Sequence, residues 1–192
     1  RALLASSALP PEEALRRLEP LGGRAALDLC GHGLVDAERA SFSDDARVIL
    51  YAEDELEIDH FAVYQIPIPD AFQTERGRRT VRVSLAYDPP VRHSRLDYNG
   101  VSMGFRLIRG CEPDLIFEHF RQRTAEEGPF PRVENRYNCD LSPSSTIREK
   151  SSLQTASVTF SRDIQQYGDN YYLVVRCAGG WAGDVGRQNF AV

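Results

Sequence analysis

The spacing of hydrophobic and polar positions changes near residue 45. Over residues 1–40, apolar residues recur at helical intervals between breakers. Arg1–Ala8 (RALLASSA) has apolar residues at such spacing, and Leu9-Pro10-Pro11 stops the run. Pro11-Glu12-Glu13 then opens a second helix, with proline and acids in its first turn and Ala14, Leu15 and Leu18 on its apolar side. Leu21-Gly22-Gly23 breaks again, and Arg24–Cys30 has room for one or two turns before Gly31-His32-Gly33. Isolated helices this short are marginal in water, so they need a larger body to pack on.

From Arg47 onward the period shortens to two. Arg47–Ala52 (RVILYA), His60–Ile68, Thr80–Tyr87, Gly100–Ile108, Thr155–Phe160, Tyr171–Arg176 and Arg187–Val192 alternate or are rich in β-branched and aromatic residues, which predicts strands. In Thr80–Tyr87, Val81, Val83, Leu85 and Tyr87 fall on one face, opposite Arg82, Ser84 and Ala86. That is the pattern of an antiparallel strand with one face on the core and one in water. Pro67 and Pro69 place the end of the second strand at a sheet edge or corner. Strands in this number with long connections imply a mainly β fold: an antiparallel β-sandwich of jelly-roll type, preceded by short helices. One inserted helix is expected over Glu112–Arg123, with Leu115, Ile116, His119 and Phe120 on a common side. Residues 124–152 read as a polar loop too long for a hairpin. The domain division that follows is a helical segment over 1–44 and a sandwich over 45–192.

Composition narrows the function classes. A chain of 192 residues with 42% hydrophobic content can bury a core, and its net charge of -5 argues against a nucleic-acid surface. No apolar run approaches the ~20 residues of a membrane helix. Arg1 opens the chain and Met103 is its one methionine, so the sequence reads as a processed chain or a cut piece. Cys30, Cys111, Cys139 and Cys177 lie far apart, with neither C-x-x-C nor zinc spacing. Free, partly buried thiols in a reducing compartment are the preferred account.

Candidate chemistry is sparse. No serine sits in G-x-S-x-G or in a Gly-Thr-Ser turn opening a helix. His32, His60, His93 and His119 occupy neither H-E-x-x-H nor H-x-x-x-H, so each reads as a surface or packing residue. Asp44-Asp45 and Glu53-Asp54-Glu55 offer carboxylates that could bind calcium at a sandwich edge. They lack the D-x-D-x-D-G order, so solvated turns are expected and no cofactor is assigned. Trp181, in a glycine-rich loop between the last two strands, is a candidate contact for a sugar or a protein partner, with Tyr98 as a second. A lid over the core is the plainer role for Trp181.

A resemblance sits at the junction of the two halves. Gly31-His32-Gly33-Leu34-Val35-Asp36-Ala37-Glu38-Arg39-Ala40 resembles the closing G-x-G-x-[VI]-[DN]-A segment of the subtilisin-like serine peptidase domain. Arg1–Ala8 is similar to the R-x-L-L-x-x-S-A helix that follows the nucleophile helix in that family, and the order and spacing of the two segments match. From about residue 45, Leu85–Val91, Asp97-Tyr98, Tyr171–Arg176 and Trp181 look like the β-sandwich appended to some bacterial subtilases. The resemblance implies a triad and oxyanion-hole Asn that precede residue 1, so no catalytic residue carries over to any position here. What it implies is the C-terminal, non-catalytic region of a bacterial subtilisin-like serine endopeptidase. The expected partners are the upstream peptidase domain of the same protein and a protein or peptide substrate, with no nucleic acid and no membrane. The unpatterned cysteines tilt the expected location to the cytoplasm rather than the exterior. The alternatives are a free-standing sandwich module binding carbohydrate or protein through Trp181, and an assembly domain whose helical start packs on a separate chain.

Overall fold

The computed structural model describes residues 1–21, 25–75, 77–123, 137–160 and 170–192. Four short helices come first: α1 (Ala2–Ser7), α2 (Glu12–Leu18), α3 (Ala25–Cys30) and α4 (Ala37–Ser41). The strands then follow as β1 (Glu53–Glu57), β2 (Phe61–Gln65), β3 (Arg79–Tyr87), β4 (Val101–Arg109), β5 (Leu153–Phe160), β6 (Tyr171–Gly179) and β7 (Arg187–Ala191). Helix α5 (Asp70–Thr74) lies between β2 and β3, and α6 (Pro113–Arg123) and α7 (Ser145–Arg148) lie between β4 and β5.

The strands make two antiparallel sheets, ordered β1-β7-β3-β5 and β2-β6-β4. Pairing is nested: β1 with β7, β2 with β6 and β3 with β5. That is the order of a long hairpin rolled into two layers, so the chain is an antiparallel β-sandwich of jelly-roll type. Alternation along β3 and β4 sends Val83, Leu85, Tyr87, Val101, Met103 and Phe105 between the layers, where Val175, Cys177 and Phe190 meet them. The outer face of the second sheet is covered by α6. Its Ile116 and Phe120, four residues apart, bury against Ile108, Tyr172 and Val174. Leu115, expected on that buried side, is instead 51% exposed, because the covered stripe runs through Ile116 and Phe120.

Two further expectations need correcting. Arg47–Ala52 is not a paired strand; the edge strand begins at Glu53, in a stretch whose composition predicts an acidic turn. Glu53-Asp54-Glu55-Leu56-Glu57 works as a strand because only Leu56 turns inward. Arg187 on β7 takes Glu55 and Glu57 as ion partners, and Tyr64 donates to Asp54 Oδ2 at 2.7 Å. The second correction is to β3. Its Arg82, Ser84 and Ala86 face was expected in water, but Ser84 and Ala86 are buried, since α1 packs on β3 and β5. The polar loop expected over 124–152 lies outside the described residues as far as 136. Its remainder contains α7.

That remainder solves a problem of backbone accounting. Among the described residues the second sheet has three strands, and the side of β4 away from β6 presents carbonyls at Met103, Phe105 and Leu107. Buried carbonyls need donors. Gln154 Nε2 donates to Met103 O at 2.7 Å, Arg148 Nη2 to Phe105 O at 2.7 Å, and Cys139 N–H to Leu107 O at 2.9 Å. Arg148 is held on its other side by Pro143 O at 2.9 Å, and its guanidinium lies 4.4 Å over the Phe105 ring. Burial pulls its pKa down to about 10, which leaves it charged at neutral pH. Beside it, Arg106 and Glu149 form a largely buried ion pair at 2.6 Å. Arg148→Met removes a donor from both carbonyls while keeping apolar bulk, and is expected to lower unfolding free energy by ~2–3 kcal/mol in urea titration. Arg148→Lys should recover little, because the compact ammonium lacks the spread of the two guanidinium nitrogens that serve the two oxygens.

Candidate functional site

The helical segment and the sandwich meet at a built contact. Helix α1 turns Ala2, Ala5, Ser7 and Ala8 inward, and these small residues let its backbone come close to β3 and β5. The last carbonyls of a short helix lack intrahelical donors. Arg82, midway along β3, reaches across and donates to Ala8 O at 2.5 Å and Ala5 O at 3.4 Å. Burial lowers the Arg82 pKa, with Arg39 a second, repulsive cause. At the helix start, Arg1 donates to Tyr87 O at 3.3 Å and lies 3.5 Å from Asp88. Both ends of α1 are therefore tied to β3 by arginines. Neither tie is visible in the residue pattern, because Arg82 sits where alternation predicts a solvent-facing residue.

The two segments that carry the family resemblance pack on each other. Leu9 and Leu34 exchange backbone hydrogen bonds of 3.0 and 2.9 Å, and Asp36 N–H points to Ser7 Oγ at 3.3 Å. Gly33 makes this possible: its φ is +99°, and a Cβ there would fall inside the Leu9–Pro10 backbone. Asp36 then caps α4 by accepting from Arg39 N–H at 2.9 Å. His32, between the two glycines, lies near the backbone of Leu153 at the start of β5. Burial lowers its pKa; the Leu153 backbone works against this, and the nearby Arg82 charge adds to it. The segment exposes apolar residues among its charged ones. Leu4, Leu9, Leu15, Leu21, Leu29, Leu34 and Val35 are all exposed.

The second region is the sandwich end that carries Trp181 and Tyr98. The structure brings the two together through the loop between β3 and β4. Trp181 Nε1 donates to Asp97 O at 2.8 Å, and Arg92 stacks over the indole at 4.4 Å from its centroid. The ring also packs against the main core and lies close to Gly100, where an added Cβ would meet it at 3.0 Å. Trp181 thus pins the loop down and offers little free ring face. Tyr98 is 44% exposed and meets His93 edge-on at 5.3 Å. Leu96, at the loop tip, is fully exposed.

The remaining candidates are engaged locally. Asp44 pairs with Arg47, Tyr51 donates to Glu53, and Asp54 accepts from Tyr64. Among the described residues no three His, Cys, Asp or Glu converge as metal ligands. His60 contacts Ile58 O at 2.9 Å, and His119 meets Phe120 edge-on. All four cysteines are free thiols. Burial pushes Cys111 and Cys139 up to about 11 and Cys177 to about 12, which keeps them protonated and poor nucleophiles at neutral pH. No helix among the described residues is long and apolar enough to cross a membrane.

What the fold and this contact define is a jelly-roll sandwich with a helical segment docked on the outer face of one sheet. The chain is 65% identical over all 192 residues to the uncharacterized protein y4bN of Sinorhizobium fredii (strain NBRC 101917 / NGR234), and it spans 44% of that relative's length. No family model and no solved structure matches it.

Two outcomes test the contact. Gly33→Ala should detach the Leu34 segment from Leu9 and cost ~2 kcal/mol or more, because the site combines positive φ with backbone crowding; hydrogen exchange across 2–9 and 31–37 reads this. His32 carries a lowered folded pKa, so its contribution is complete above the unfolded value of 6.5 and is lost as pH falls through the folded pKa. Between pH 7.5 and 5, His32→Gln should lose less stability than the parent chain in matched urea titrations.

Proposed function

We propose that this chain is the C-terminal, non-catalytic region of a bacterial subtilisin-like serine endopeptidase. Residues 1–44 close the peptidase domain, and the sandwich from residue 45 stabilises that domain or holds its substrate. The observation that carries the proposal is the pairing of Arg1–Ala8 with Gly31–Ala40 into one unit. Its inner side rests on the sandwich through Ala2, Ala5 and Ala8, while Leu4, Leu34 and Val35 of the same unit are exposed. A unit with a packed inner side and exposed apolar residues suits a segment that lies between two bodies. The sandwich is then fixed to the peptidase by a shared helix, in contrast to one hung on a flexible linker. A relative more than twice as long supports a larger polypeptide.

The partners of this reading are the upstream peptidase domain and a peptide or protein substrate, with the cytoplasm as the location. The carbohydrate-stacking alternative is less well supported, because Arg92 already covers the Trp181 ring.

A fluorophosphonate probe applied to the full-length Sinorhizobium relative should label one serine outside the matched 192 residues, and should leave the 192-residue chain unlabelled. Labelling of this chain, or a full-length relative without any reactive serine or upstream Gly-Thr-Ser helix start, would overturn the proposal.

A further inference from the structure

The loop between β3 and β4 is a fixed structure at one end of the sandwich. Val91 and Asn99 pair as an antiparallel bridge, Gly100 N–H donates to Pro90 O at 2.7 Å, and Arg92 N–H donates to Tyr98 O at 3.1 Å. Trp181 Nε1 holds the loop from the side through Asp97 O. The tip from Arg92 to Tyr98 is exposed throughout. A tip whose backbone is already fixed loses little entropy when something binds to it.

What the tip displays is cationic and apolar. The Arg92 and Arg95 guanidinium carbons lie 4.4 and 6.0 Å from the centroid of the Trp181 indole, so one ring positions two guanidinium groups. Leu96 stands fully exposed beside them, and Tyr98 meets His93 edge-on. Lys150, the only lysine of the chain, comes to the base of the loop, where Asn99 Nδ2 reaches its carbonyl at 3.5 Å.

The acids at this end are mostly engaged. Asp88 faces Arg1 at 3.5 Å, Glu149 is paired with Arg106 at 2.6 Å, and Asp97 lies 3.8 Å from Arg95. Asp184, on the turn after Trp181, is the exposed exception. Arg92 and Lys150 have no carboxylate partner among the described residues, in a chain whose net charge is -5.

That chemistry selects an occupant. Guanidinium groups match carboxylates, and arginine and tyrosine on a fixed backbone are common anchors of protein contacts. A nucleic-acid strand needs a ring on which a base can stack, and Arg92 already lies over this one. An anionic bilayer would meet a negatively charged chain with a single leucine to insert.

We propose that the Arg92–Tyr98 loop binds an acidic peptide segment, whose carboxylates pair with Arg92 and Arg95 and whose apolar side chain packs on Leu96 and Tyr98. This rests on the reading that the sandwich holds substrate for a peptidase, and it names acidic peptides with an apolar residue as the substrate class. Arg1, where the upstream domain joins in that reading, donates to Tyr87 O at the foot of the same loop. A peptide held there lies beside that domain.

The test uses the 192-residue chain and the fluorescein-labelled peptide Glu-Glu-Leu-Leu-Glu-Glu. Anisotropy should rise saturably, salt should weaken the binding, and emission from Trp181, the only tryptophan, should change with it. Arg92→Glu with Arg95→Glu should bind about 10-fold more weakly. Arg95→Glu alone, which leaves the closer Arg92 stack in place, should still weaken binding about 3-fold. Arg16→Glu with Arg17→Glu, the same change in net charge on exposed α2, should bind as the parent does. No saturable binding overturns the proposal, and so does equal binding of Lys-Lys-Leu-Leu-Lys-Lys. Inorganic phosphate competing as tightly as the peptide reduces the loop to a simple anion site and also overturns it. Co-sedimentation with phosphatidylglycerol vesicles in place of peptide binding overturns it in favour of a membrane contact. Serine-probe labelling of the full-length Sinorhizobium relative reports on the peptidase assignment separately. Peptide binding without a reactive serine upholds the loop and removes the peptidase; a labelled serine without peptide binding removes the loop alone.

Discussion

The structure depends on satisfying the backbone of an incomplete second sheet. Rolling a long hairpin into two layers leaves β4 with no paired strand among the described residues on its outer side, where Met103, Phe105 and Leu107 are fully buried. Leaving a buried acceptor unmet costs about 1–3 kcal/mol each, which a domain of modest net stability cannot carry several times over. The chain from Tyr137 to Gln154 fills the gap with a peptide N–H, an arginine and a glutamine amide. This stretch is irregular and polar in sequence because it must present donors at fixed positions along one strand edge, which no repeating pattern supplies.

The same logic explains how the helical start is held. Helix α1 has six residues, too few to be stable alone, and it survives because one side is made of alanines that let it lie close on β3 and β5. Arg82 then takes up its final carbonyls and Arg1 ties its beginning to the end of β3. An arginine on a sheet face is ordinarily a solvated residue. Here it is the donor that turns a loose helix into a docked one.

The two regions also differ in what they leave exposed. The sandwich buries its large side chains between layers and beneath α6. The segment up to Tyr51 instead displays leucines, valines and aromatics to solvent. One side of the small unit formed by α1, the Gly31–Gly33 turn and α4 is therefore matched to the sandwich and the other is unmatched. Trp181, by contrast, is committed to structure: it fixes the loop that carries Leu96 by one hydrogen bond and one stacked arginine.

Sequence alone determined the change of period near residue 45, six of the seven strands and the inserted helix, because two- and 3.6-residue periodicities follow directly from which side chains leave water. It also marked Gly31-His32-Gly33 as a turn that needs glycine. Tertiary structure decided the rest. Glu53–Glu57 became a strand because Arg187, more than a hundred residues away, neutralises two of its carboxylates; Val48–Tyr51 did not, because no partner strand among the described residues lies opposite it. Arg82, Arg148 and Gln154 acquired their roles from carbonyls on distant elements. Hydrogen-bond donors that serve remote acceptors leave no local periodic trace, so only the assembled fold could reveal them.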